Sequence, residues 1–264
     1  MNSPVKVVRE KDKKIEEYEE LLVRRDQLFK EAGSILTAYT KEFGDLITAN
    51  FELKVDCIKK KKVIAYCQKM INKGLSIDAD VMHEEIENEM FLYYRELQEM
   101  VWKNKQAKDA KQIDEYSLSR SKKIYRRLAK LLHPDINKKT METDSLRDLW
   151  VRIAEAYKKS DVDALEDLEA LVNKELEGLG ESGFEIAYPD IEDRIERVEA
   201  QINEIMTTEP YTYTDLLSDK EKKAAFMEKL RTEHDEYEKY LEELTSILDD
   251  MMHDEGMNLI WKML

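Results

Sequence analysis

Glycine and proline are scarce in this 264-residue chain, at 7 and 4 residues, and cysteine is scarcer still at 2. With few breakers and abundant Glu, Lys, Leu and Met, which lose little rotamer freedom in a helix, the composition favours long helices. Cys57 and Cys67 have no CxxC neighbour, so they cannot by themselves supply a four-ligand zinc site, nor do they form a disulfide framework. No apolar run reaches membrane-spanning length, and the opening MNSPVKVVREKDKK has no apolar signal core. Neither a phosphate-cradling glycine loop nor a nucleophile elbow occurs. His83, His234 and His253 stand far apart without a partner at HExxH spacing, so no metal and no cofactor is expected. These absences lead to the expectation of a cytoplasmic protein without an enzyme active site, and with membrane binding disfavoured.

Charge is present in excess and unevenly placed. The chain is 38% charged with a formal balance of -15. From Lys174 onward there are 25 acidic and 10 basic residues, a local balance of -15, so the remainder sums to zero. An acidic chain repels nucleic acid unless a basic patch is segregated from the rest.

Helical stripes run through most of the sequence. Ile15, Tyr18, Leu22, Phe29, Ala32, Leu36, Tyr39, Phe43 and Leu46 recur at alternating steps of four and three, with Arg25 as the one break. Gly33 and Gly44 mark bends or close approaches, and Gly74 is a C-cap. A second helix, capped by Asp78 or Asp80, carries Met82, Ile86, Met90, Tyr93, Leu97 and Met100 and pairs antiparallel with the first. Ile191, Ile195, Val198, Ile202 and Ile205, then Phe226, Leu230, Tyr237, Tyr240, Leu244, Ile247 and Met251, give two further stripes expected to form a hairpin. Trp102 and Trp261 are read as ordinary packing residues.

Residues 119–176 are the most informative. SRSKKIYRRLAKLL is an amphipathic helix with six basic and no acidic residues between Arg120 and Lys130. Pro134 lacks an amide hydrogen and disfavours helical geometry at His133, so this helix stops at about Leu132. LWVRIAEAY lies in a following helix with Leu146, Leu149, Trp150, Ile153 and Tyr157 on its buried stripe. Ser160 or Asp161 caps a third helix carrying Leu165 and Leu168. Leu128, Leu131, Leu149, Trp150, Ile153 and Tyr157 form the expected core of this module.

KKIYRRLAKLLHPDIN followed by LWVRIAEAY resembles the second helix, signature loop and third helix of the J domain, the co-chaperone module of the DnaJ-like family. The resemblance covers about 40 residues. It implies a surface that docks on the ATPase domain of an Hsp70-type chaperone and stimulates ATP hydrolysis. His133, Pro134 and Asp135 match the signature loop directly; Lys122, Lys123, Arg126, Arg127 and Lys130 match the basic helix as a group. From chemistry alone, Pro134 holds the loop clear of the helix pair, Asp135 offers a charge-assisted acceptor for a partner's arginine, and the cations speed encounter with an acidic partner. The family's usual first-helix opening is absent before Ser119, and the helix with Tyr93, Leu97 and Met100 is the candidate replacement. No Gly/Phe-rich stretch and no zinc-binding cysteine repeat follows, which points to a specialised member with targeting arms.

The expected fold is all-α and elongated: a helical arm over 7–110, the J-like module over 119–176, an acidic helical hairpin over 189–255 and a tail over 256–264. The arms serve a client, an assembly or a homodimer. The alternative function is a helical adaptor whose J-like pair is only scaffold. Nucleic acid is not an expected partner, because Tyr125 is the only aromatic on the basic helix and no recognition context surrounds it.

Overall fold

A computed structural model describes residues 4–110, 113–180 and 190–254, with side chains described within 13–252. Among the described residues there are nine helices and no strand. Trp261, the tail 256–264, the side chain of His253 and most of the GLGESGFEIAYPD break lie outside the described residues.

The first helix, α1, runs unbroken over Pro4–Asn72. Gly33 introduces no interruption, and Gly74 closes the segment at φ +64°, where Leu75 N–H donates to Met70 O at 3.0 Å. The following helices are α2 (Ala79–Asp109), α3 (Glu115–Leu132), α4 (Lys139–Glu142), α5 (Asp144–Lys159), α6 (Val162–Leu179), α7 (Ile191–Thr207), α8 (Tyr213–Ser218) and α9 (Lys220–Asp254). Asp78, Asp114 and Asp161 cap α2, α3 and α6 by accepting amide hydrogens in their first turns.

The chain divides into two units, each built from two stretches: Met1–Ile35 with Lys111–Thr212, and Leu36–Ala110 with Tyr213–Leu264. The blocks 7–110 and 189–255 are therefore each divided between the two units, whereas 119–176 lies wholly within the first. Their stripes are satisfied by residues distant in sequence, and periodicity does not specify which partner a stripe finds.

In the first unit α3, α5 and α6 pack around Ile124, Leu128, Leu132, Leu146, Ile153 and Leu165, all fully buried. Burial of each such side chain is worth about 1.5–3 kcal/mol. Leu149 and Tyr157 join this core, whereas Leu131 and Trp150 pack on its edge and stay partly exposed. α6 lies against both α3 and α5. The helix bearing Tyr93, Leu97 and Met100 belongs to the other unit. A second cluster joins Tyr18 and Leu22 of α1, Ile136 after α3, and Ile191 and Val198 of α7.

In the second unit α2 runs antiparallel to the later part of α1. Lys59 pairs with Glu87 at 3.0 Å, Lys62 with Glu89, and Lys108 near the end of α2 with Asp45 at 2.5 Å. Val63, Tyr66 and Cys67 pack there with Met82, Ile86, Met90 and Leu248. Burial raises the pKa of both the Cys57 and Cys67 thiols. α9 packs along the same part of α1, with Phe226 edge-on to Phe43 at 4.9 Å and Asn50 Nδ2 donating to Leu230 O at 2.8 Å. The acidic hairpin expected over 189–255 is thus divided: α7 packs in the first unit and α9 in the second.

Several stripe positions are also corrected. Phe29 is 58% exposed, Leu36, Tyr240 and Ile247 face outward, and Trp102 is 62% exposed. Leu28 and Leu248 are buried in place of their neighbours. A helix of 3.6 residues per turn drifts by roughly 20° per heptad, so a stripe read at 3.5 slides off the buried face within a few turns. None of the described helices is long and apolar enough to cross a membrane.

Candidate functional site

The site lies in the first unit, where α3 ends. Leu132 is its last helical residue and His133 its C-cap, with φ -60° and ψ 127°, the extended geometry that Pro134 imposes on the residue before it. His133 N–H still donates to Ala129 O at 2.8 Å. The chain then turns tightly: Ile136 and Asn137 N–H both donate to His133 O at 2.8 Å, and Asn137 Nδ2 reaches back to Leu131 O at 3.0 Å. Ile136 is fully buried against Tyr18, Leu22, Ile191 and Val198. A loop held clear of the helix pair is therefore not what forms. Its apolar residue anchors it to α1 and α7, while Pro134 and Asp135 reach the surface in part and Lys138 is exposed.

His133 is 5% exposed and meets the Trp150 indole edge-on at 4.9 Å. Asp135 N–H donates to His133 Nδ1 at 3.0 Å. In the neutral ring the proton then resides on Nε2, which faces Asp26 Oδ2 of α1 at 3.4 Å. Asp26 Oδ2 also accepts from Tyr125 Oη at 2.6 Å. Burial works to raise the Asp26 pKa, but the hydrogen bonds from His133 and Tyr125 and the charge of Arg25 outweigh it, so the carboxyl sits below its ordinary value. Tyr125 stacks on Tyr157 with centroids 3.9 Å apart, and Lys30 Nζ lies 4.0 Å above the Tyr157 ring. One face of α1, through Glu19, Leu22, Val23, Asp26 and Lys30, thus runs antiparallel along α3.

Asp135 retains 45% of its side-chain exposure and pairs with Arg25 Nη1 at 3.5 Å. Arg25 Nη2 lies 3.3 Å from His133 Nε2, and Nη1 contacts Gln201 Oε1 of α7 at 3.2 Å.

The cations of α3 fall into two rows, as residues spaced three and four apart must. Arg126 pairs with Glu20, and Lys130 lies 3.4 Å from Glu19 and 3.5 Å from Glu20, all on the α1 side. The Arg126 hydrogen bond is the main cause that lowers the Glu20 pKa. On the α6 side Arg127 grips Glu169 with two bonds of 2.6 and 2.7 Å, and Arg120 pairs with Glu166 at 2.7 Å. Lys122 and Lys123 are exposed and have no ion-pair partner among the described residues.

All eight residues singled out from the sequence therefore lie on α3 or its turn, and α1 supplies four more: Glu19, Glu20, Arg25 and Asp26. The one sequence trace of this addition is Arg25, a charge at a position where the apolar stripe requires a hydrophobe. Among the described residues no group of three or more His, Cys, Asp or Glu could hold a metal ion. His234 instead faces Asn50 at 2.9 Å. Comparisons with protein-family models, curated proteins and solved structures gave no match.

Proposed function

We propose that the chain is a J-domain-like co-chaperone that binds the ATPase domain of an Hsp70-type chaperone and stimulates its ATP hydrolysis. In this reading the α3–α5 pair is a J-like hairpin, His133–Pro134–Asp135 is its signature loop, and α6 takes the crossing position. The observation that carries the reading is the half-exposed Asp135 carboxylate at the end of α3, beside cations that each keep at least 38% exposure where they are paired. His133 acts by shaping the turn: its ring accepts the Asp135 amide and abuts Trp150, so it orients the carboxylate rather than touching the partner. Lys122 and Lys123 supply the open positive ground for encounter with an acidic partner.

The test is single-turnover ATP hydrolysis by a host-matched Hsp70-type chaperone. Asp135→Asn is expected to remove most of the stimulation while leaving helicity and melting unchanged, since the Arg25 pair is partly exposed and weak. Wild-type protein that stimulates none of several host-matched partners rules the reading out. The complete packing of His133 and the intramolecular pairs on four of the six cations favour a second reading, a helical adaptor in which this pair is scaffold. An adaptor retains its binding partner after Asp135→Asn.

A further inference from the structure

On the side of α3 that faces α1, each charged group that a docking partner would use near the loop is already met by its opposite from α1. Arg25 stands at Asp135, where a partner's arginine would stand; Glu20 pairs with Arg126, and Glu19 and Glu20 both approach Lys130. The match is one of sign: two acids and an arginine of α1 oppose two cations of α3 and the carboxylate of its turn. Lys122, farther from the loop, is left without such a counterpart.

We infer that Glu19, Glu20 and Arg25 form an internal latch that occupies the docking surface and that an incoming partner must displace. This inference rests on the docking reading above and adds regulation to it. The latch works at the level of side chains. Leu22 and Val23, on the same stretch of α1, are buried at 0% and 2% exposure, so the helix itself stays seated. Glu20 and Arg126 keep 44% and 51% exposure, and pairs so wetted exchange readily with competing ions of the same sign. Glu19 at 14% and Arg25 at 16% side-chain exposure are the firmer members, Arg25 being held also by Asp26 at 3.1 Å and by Gln201. Engagement is therefore expected in two stages. A partner's acids first meet Lys122 and Lys123 and replace Glu19 and Glu20 on Arg126 and Lys130; only then does its arginine take the place of Arg25 at Asp135. Any event that neutralises or draws away the α1 acids raises the affinity of the surface, because a state that is only partly open weakens apparent binding by its open fraction.

Glu19→Gln/Glu20→Gln, with and without Arg25→Gln, leaves every α3 and loop group intact and separates the latch from the surface it covers. Two measurements on the full chain decide the matter. In amine-modification footprinting read by mass spectrometry, Lys130 of the wild type is expected to react several-fold more slowly than Lys122. In the double variant its rate should approach that of Lys122. In the ATPase assay the variants should reach half-maximal stimulation at a concentration lower by on the order of tenfold, the combined effect of a few exchangeable ion pairs. Asp135→Asn in the same background should abolish the gain. Glu20→Gln alone, which spares the more buried Glu19 and Arg25, covers the case in which the multiple variants fold poorly. Wild-type stimulation that the variants do not improve, or wild-type Lys130 as reactive as Lys122, overturns the latch and leaves the docking reading standing. Silence from the wild type and from the opened variants alike overturns the docking reading and the latch with it.

Discussion

Lys30 holds an ammonium in a half-buried position between Tyr157 and Ser121 Oγ, and burial pushes its pKa down to about 8 from an ordinary 10.5. A cation with a depressed folded-state pKa disfavours folding below that value, and the penalty fades as pH rises from about 8 toward 10.5, where the folded state loses its proton before the unfolded chain does. The Tyr157 ring face offsets part of the cost through its quadrupole. Lys30→Met is therefore expected to stabilise the protein near pH 7, with the advantage shrinking between pH 8 and 10.5. Urea unfolding across that range measures it; parallel stability curves for the two proteins would discard the claim. Arg25 shows how far such a site was legible beforehand. His133, Pro134 and Asp135 stand together in the chain, and the consequence of Pro134 for the helix end follows from its ring alone. Arg25 meets them across 108 residues of sequence, and nothing local in either segment names the other. Its only trace was the interruption of an apolar stripe, a mark that distinguishes a misfit from an ordinary residue but does not say what it faces.

At the scale of helices, ends were more readable than partners. α3 stops at Leu132 and α6 begins after an Asp161 cap because Pro134 and an aspartate act on their immediate neighbours. A fixed 3.5-residue step does not carry the drift of the buried face, so Phe29 and Ile247, inward by that step, face outward. The end of α5 carries a strain that the sequence does not advertise. Ser160 sits at φ 53° and ψ 33°, donates its N–H to Ala156 and Tyr157 carbonyls, and buries an Oγ with no hydrogen-bond partner. A side chain in the left-handed region costs about 1–2 kcal/mol, and glycine avoids that cost. Ser160→Gly is expected to raise stability by about 1 kcal/mol in thermal or urea unfolding. A lower melting midpoint would show that the hydroxyl contributes what the geometry does not.

For the molecule as a whole, two interleaved units share one continuous α1, and each has its own buried centre. Phe43, fully buried among Tyr39 and Phe226, belongs to one unit and Leu128 to the other. Phe43→Ala should cost about 3–5 kcal/mol and Leu128→Ala about 2–5 kcal/mol. Amide hydrogen exchange is expected to quicken first in the unit that holds the cavity: α9 for the former, α3, α5 and α6 for the latter. Uniform loss of protection from either change would mean a single cooperative block. All-helical architecture followed from composition, because so few breakers leave little else to form. The division did not, because two stretches of one uninterrupted helix serve different centres and no break in the sequence marks where one hands over to the next.

Gly44 has a further consequence. A methyl group built there would come within 2.6 Å of Asn104 Oδ1, while no atom crowds Gly33, the other glycine of α1. Amphipathic rods with repeating apolar stripes can slide along one another by a heptad and still bury hydrophobes. The notch at 44 admits Asn104, whose amide donates to the adjacent Asp45 at 2.7 Å, and a heptad shift would set that side chain against Thr37 or Phe51 instead. One absent methyl thus fixes the axial registry of α2 on α1, a specification that greasy surfaces alone do not provide.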